Sequence, residues 1–267
     1  MRTRMTWLVL LVAVLGVGPG VAYDVNKDLR NIGTQAAHDV SVVLSGTETV
    51  TNHYDGYSDR YFNSFAHGPL PPNTLLRWQD LVEPGGNGMI DPGEIVHVGW
   101  STADHSSNVK DMYWTDATGQ RIPGSKIYNI TSGWTYESGT GTVLADFFNE
   151  FETEWGEMGP IGIVDLHYGI FDEAFPLSEL NLGNELLNAA LLPAHDGSFD
   201  VLPGESHNVT LPDPAADGQA VVLRYQATGP DSNADVVDFV QFVVPEPASL
   251  ISLALAGILV SFRRLGR

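Results

Sequence analysis

The hydrophobic pattern along the chain reads mainly at a period of two. Segments that alternate apolar with polar residues, or are rich in β-branched residues, lie between Gly, Pro, Asn and Asp at 40–44, 47–51, 75–79, 94–100, 109–115, 126–130, 141–148 and 161–170. More follow at 198–202, 206–211, 219–227 and 235–244. Each predicts a short strand, because side chains alternate across a sheet and the flanking residues make turns. One stretch, 177–190, predicts a helix. Leu177, Leu180, Leu182, Leu186, Leu187 and Ala190 share a face, Ser178 is placed to cap its start, and Pro176 and Pro193 bound it. Many short strands with one short helix give a mainly β fold of one or two antiparallel sandwiches.

A sequence echo bears on domain organisation. Ile90-Asp91-Pro92-Gly93-Glu94 leads into one predicted strand, and Val201-Leu202-Pro203-Gly204-Glu205 leads into another. Proline fixes φ and glycine takes the positive φ that follows, so both are tight turns. Two related Ig-like modules would carry such a repeat, and so would two unrelated loops of a β protein. A soft boundary falls in 150–162, where Glu150, Glu152, Glu154 and Glu157 precede Met158-Gly159-Pro160. It separates a sandwich over 23–149 from a second β-rich region, with the helix, over 150–244. The alternative is one continuous sandwich with an acidic loop.

Composition narrows the function classes. The chain has 267 residues, 43% of them hydrophobic, which is enough for a core and argues against wholesale disorder. It has no Cys, which excludes a disulfide scaffold, a thiolate zinc site and a Cys nucleophile. Between Tyr23 and Val244, eight Lys and Arg stand against 32 Asp and Glu, a balance of −24. Such a body repels nucleic acid and anionic lipid.

The ends carry the clearest signals. Arg2 and Arg4 precede an apolar run from Trp7 to Val17, and Gly18-Pro19-Gly20 breaks it. Small residues before Tyr23 suit cleavage there, so residues 1–22 read as a secretory signal peptide. At the other end Pro245-Glu246-Pro247 is followed by an uncharged stretch, 248–262, and then by Arg263 and Arg264. As a helix that stretch is ~22 Å long, against ~30 Å of bilayer hydrocarbon. It spans only with thinning or arginine snorkelling, with its basic end cytoplasmic.

Residues 245–267 resemble the PEP-CTERM sorting signal of Gram-negative and related bacteria. The match rests on Pro245, Glu246, Pro247, the short apolar helix and the Arg263-Arg264 pair. The resemblance implies recognition by the membrane enzyme exosortase, transient anchoring in the inner membrane through 248–262, and delivery to the cell surface or extracellular matrix. It covers only the tail and says nothing of the body.

Two internal stretches are candidates for binding. Counted as a twelve-residue calcium loop, Glu83 to Glu94 places Asn87 fifth, Gly88 sixth, Asp91 ninth and Glu94 twelfth, with the Met89 carbonyl as a further oxygen. Glu83 instead of Asp, and Gly85 where a side-chain ligand belongs, depart from that pattern. The stretch also resembles the turn before a strand in bacterial extracellular Ig-like modules, where it serves as a turn only. The second stretch, 52–62, alternates aromatic with polar residues, and Tyr54, Tyr57 and Tyr61 offer faces for stacking on sugar rings. The competing reading packs these rings, and Trp100, Trp114 and Trp134, into the core.

The sequence contains no Gly-x-Ser-x-Gly elbow, Walker loop, Gly-x-Gly-x-x-Gly or His-Glu-x-x-His, and its eight His are scattered. The expectation is therefore a non-enzymatic, exported protein of structural or adhesive type. Calcium is a candidate cofactor, and exosortase and extracellular polysaccharide are candidate partners. A carbohydrate-binding module is the alternative, and a glycan-active enzyme the third reading.

Overall fold

Alternation in the sequence becomes alternation of burial in the computed structural model, which describes residues 23–56, 62–81, 88–102, 109–151, 159–229 and 234–244. The stretches 1–22 and 245–267, with Pro245, Glu246, Pro247, Arg263 and Arg264, lie outside the described residues, as do Tyr57, Tyr61 and Asn87. Among the described residues no helix is long and apolar enough to cross a membrane.

The strands are β1 Tyr23–Arg30, β2 Asp39–Leu44, β3 Val50–Asp55, β4 Phe62–Leu70, β5 Asn73–Leu81, β6 Ile95–Thr102, β7 Val109–Thr115 and β8 Arg121–Lys126. They continue with β9 Thr131–Glu137, β10 Thr142–Phe148 and β11 Ile161–Phe171. A 3-10 turn, Leu177–Glu179, and helix α1, Glu185–Ala190, precede β12 Leu192–Pro193, β13 Phe199–Val201, β14 Ser206–Thr210, β15 Ala220–Thr228 and β16 Ala234–Val243. An eight-stranded sheet runs β12-β11-β15-β16-β1-β6-β3, with β13 also on β11. A five-stranded sheet runs β4-β5-β2-β7-β8 and a three-stranded one β14-β10-β9. The fold is mainly β and antiparallel, as the pattern predicts.

One face of the large sheet is apolar. Val25, Trp100, Leu223 and Val240 cluster there with Val42, Trp78 and Trp114 of the five-stranded sheet and with Val143 and Phe147 of the three-stranded one. Trp100 and Trp114 are core residues, and Trp134 packs half-buried against Phe242 with ring centroids 6.0 Å apart. The opposite face is covered by a strap, 171–191, whose Leu177, Leu180, Leu187 and Leu191 pack on Val222 and Phe239.

That strap corrects the predicted helix over 177–190. Only Leu177–Glu179 and Glu185–Ala190 are helical. Between them Asn181 Oδ1 accepts the Asn184 N–H at 3.1 Å, and Asn184 Oδ1 accepts the Leu187 N–H at 3.1 Å. These local side-chain bonds compete with a continuous helix, and Gly183 weakens it further. The helix cap is therefore Asn184 and not Ser178, and Leu186 is 86% exposed. The strand expected over 126–130 is displaced too. The strand is Arg121–Lys126, and the buried residues 127–130 carry the chain irregularly to the next sheet.

The two halves repeat one connectivity. In the first, β1 pairs with β6, β2 pairs with β5 and β7, and β7 pairs with β8. In the second, β10 pairs with β14, β11 pairs with β13 and β15, and β15 pairs with β16. Each half then lends its last strand to the other: β16 pairs with β1, and β9 pairs with β10. The sheets consequently do not divide at 150–162. That stretch joins β10 to β11 inside the second half, and the large sheet takes strands from both sides of it.

The Pro-Gly-Glu echo is the clasp of this repeat. Asn31 follows β1 and Asn149 follows β10, and both are buried. Asn31 Nδ2 donates to the Ile90 carbonyl at 2.8 Å, and Asn149 Nδ2 donates to the Val201 carbonyl at 2.9 Å. The Gly93 N–H donates to the Asn31 carbonyl at 2.7 Å, and the Gly204 N–H to the Asn149 carbonyl at 2.9 Å. In return the Asn31 N–H reaches the Glu94 carbonyl at 2.9 Å and the Asn149 N–H reaches that of Glu205 at 3.0 Å. Gly93 and Gly204 have φ of 93° and 76°, the region that favours glycine.

Candidate functional site

Of the four residues considered for calcium, three can be placed. Met89 is 42% exposed ahead of the turn, which Asp91 and Glu94 close. Glu94 Oε2 accepts the Asp91 N–H at 2.7 Å, and the Glu94 N–H donates to the Asp91 carbonyl at 3.0 Å. The turn is pinned from below by Asn31 and by the Ala37–Ile90 bridge. Glu94 thus has one oxygen committed to the turn itself. Among the described residues no group of three or more His, Cys, Asp or Glu is placed to hold a metal ion.

The aromatic stretch divides between two faces. Tyr54 is half-buried at the edge strand β3 and meets His97 edge-on, with centroids 5.8 Å apart. Its hydroxyl is held above the usual phenol range, first by burial and then by the charge of Asp55. His53, its neighbour, points the other way and stacks on Phe65 of β4 at 4.0 Å and an interplanar angle of 9°. Phe65 in turn contacts His67 at 5.8 Å and Trp78 at 5.0 Å. A ladder of rings therefore runs from exposed His67 through half-buried Phe65 to the core tryptophan. Sequence reasoning missed β4, whose run Phe62–Leu70 holds Gly68 and Pro69 and faces water at most positions.

Beneath the strap lies a buried polar network. His97 Nδ1 lies 3.1 Å from Asp28 Oδ1, and the Leu182 N–H donates to Asp28 Oδ2 at 3.3 Å. Ser101 Oγ donates to Asp24 Oδ1 at 2.5 Å, and Gln241 Nε2 donates to Asp24 Oδ2 at 3.1 Å. Gln241 also exchanges two bonds with the backbone of Phe175, and Asn26 Nδ2 donates to the Leu177 carbonyl. The histidine–aspartate pair is shut away from solvent, so its geometry suits anchoring of the strap and not proton transfer to a substrate. A second buried pair, Lys27 with Asp238, sits on the core face of the same sheet at 2.5 Å.

No family model, curated protein or solved structure matches this chain.

Proposed function

We propose that the chain is an exported bacterial protein of structural or adhesive type, not an enzyme, sorted through a PEP-CTERM-like tail by an exosortase. On this reading it is anchored transiently in the inner membrane through 248–262 and then released to the cell surface or extracellular matrix. The observation that carries this is the tail itself, Pro245-Glu246-Pro247 followed by the uncharged stretch 248–262 and the Arg263-Arg264 pair, together with the basic start and apolar run of residues 1–22.

Fractionation of cells carrying the full chain tests this. The account expects the wild type in the surface or matrix fraction, and a variant with Pro245, Glu246 and Pro247 all changed to Ala retained in the membrane. Intact wild-type chain in the cytosol contradicts it. The −24 balance supports a further element, calcium bridging of carboxylates between molecules or to acidic polysaccharide through the turn of Asn87, Met89, Asp91 and Glu94. Light scattering that does not respond to millimolar calcium removes that element.

A second reading, carbohydrate binding, is favoured by the His53–Phe65–His67 ring ladder, whose His67 end is exposed. Pull-down on extracellular polysaccharide, with Tyr54, Tyr57 and Tyr61 changed to Ala, expects retention by the wild type and loss in the variant. Equal retention of the two contradicts it.

A further inference from the structure

The first and last strands of the fold hold an amine against a carboxyl group in the middle of the core. Lys27 of β1 and Asp238 of β16 are register partners, and both side chains are 0% exposed. Lys27 Nζ lies 2.5 Å from Asp238 Oδ1 and 5.4 Å from the centre of the Trp100 ring. On the other flank Asp238 is opposite Tyr225, which is fully buried as well.

A charged pair in such surroundings is poorly compensated, since each ion has lost its water. Burial lowers the proton affinity of Lys27 and raises that of Asp238, against the pull of their mutual charge. Both shifts favour moving one proton from Nζ to the carboxylate. The products are a free amine and a neutral carboxylic acid, a nucleophile and an electrophile already in contact. Groups held this way react as if at very high concentration.

We propose that Lys27 and Asp238 condense into an isopeptide bond that ties the first strand covalently to the last. The Nζ lone pair attacks Cγ, the Nζ–Cγ bond forms and one Cγ–O bond breaks. The departing oxygen leaves as water with two protons that were on the ammonium group. No oxidant, reductant or other reactant is needed, and the uncharged amide replaces two buried ions. The bond closes a span of 211 residues. This inference is independent of the export reading, because it concerns only the folded body.

The test is a tryptic digest of the folded full chain after denaturation, read by mass spectrometry. Trypsin cuts after a free Lys27 and does not cut after an amidated one. The expected product is a branched species in which the peptide ending at Arg30, uncut at Lys27, is joined to the peptide that begins at Tyr225. Its mass falls short of the sum of the two peptides by one water. Asp238→Ala should restore cleavage at Lys27 and abolish the branched species. Cleavage at Lys27 in the wild type, with both peptides at full mass, overturns the proposal. That wild-type digest decides the matter even where the variant fails to fold.

Discussion

The two clasps, Asn31 with residues 90–94 and Asn149 with residues 201–205, use the same hydrogen bonds in different settings. The first fastens β1 to β6 in the large sheet, and the second fastens β10 to β14 in the small one. Both asparagines also accept an N–H from two residues ahead, that of Gly33 at 3.0 Å and that of Phe151 at 3.2 Å. What differs is the acidic decoration. Asp91 and Glu94 close the first turn with a carboxylate, whereas Leu202 stands at the position of Asp91 in the second. The shared part is therefore architectural. The Asp91–Glu94 contact is peculiar to the first clasp, which makes that turn the place to look for ligand chemistry.

The largest expected effect abolishes both clasps together. Tyr23 and Tyr225 are fully buried on the shared sheet, and burial drives both hydroxyls well above the usual phenol range. Tyr168 is pushed up to about 12, chiefly by its hydrogen bond to Asp213. A folded-state pKa raised above the unfolded value of about 10 leaves stability intact below that pH and removes it above. Stability should thus fall as pH rises past about 10, and circular dichroism should show both halves lost in one transition with tyrosinate absorbance.

Asn31→Ala and Asn149→Ala come next. Each strands buried backbone groups, at a cost of about 2–4 kcal/mol in urea unfolding. A second clasp that tolerates Asn149→Ala would break the equivalence. Gly93→Ala and Gly204→Ala should each cost about 1–2 kcal/mol, from the positive φ alone. No atom lies within 4 Å of an added Cβ at either position, so the two losses should match. The smallest effect sharpens the difference. Glu94→Gln should cost about 0.5 kcal/mol and Glu205→Gln almost nothing, because only the first has its carboxylate on a backbone N–H.

Strands with clean alternation were legible in the sequence: the predicted 109–115 is β7 residue for residue. β1 was not, because its core face carries Lys27 between Val25 and Leu29, and its other face carries Asp24, Asn26 and Asp28 under the strap. A buried lysine reads as a surface residue until its partner, 211 positions away, is known. β9 was missed because Gly133 interrupts its pattern and two of its residues, Thr135 and Glu137, are exposed. The Pro-Gly-Glu turns were visible, but the asparagines that hold them were not. Asn31 lies 59 residues from Ile90 and Asn149 lies 52 from Val201, and pairing at that distance leaves no local pattern. Of the candidate residues, Tyr54 faces His97 whereas its neighbour His53 faces Phe65, a division that follows from strand alternation once β3 is placed.

The central structural claim is that exchanged last strands bind the halves into one cooperative unit. Native-state hydrogen exchange at the Gly93 and Gly204 amides, in the wild type and in Asn31→Ala, tests it most directly. The account predicts that both amides lose the same exchange free energy in the variant, although only Gly93 touches the altered side of the molecule. Loss at Gly93 with wild-type protection at Gly204 would contradict it and leave two independently folding halves.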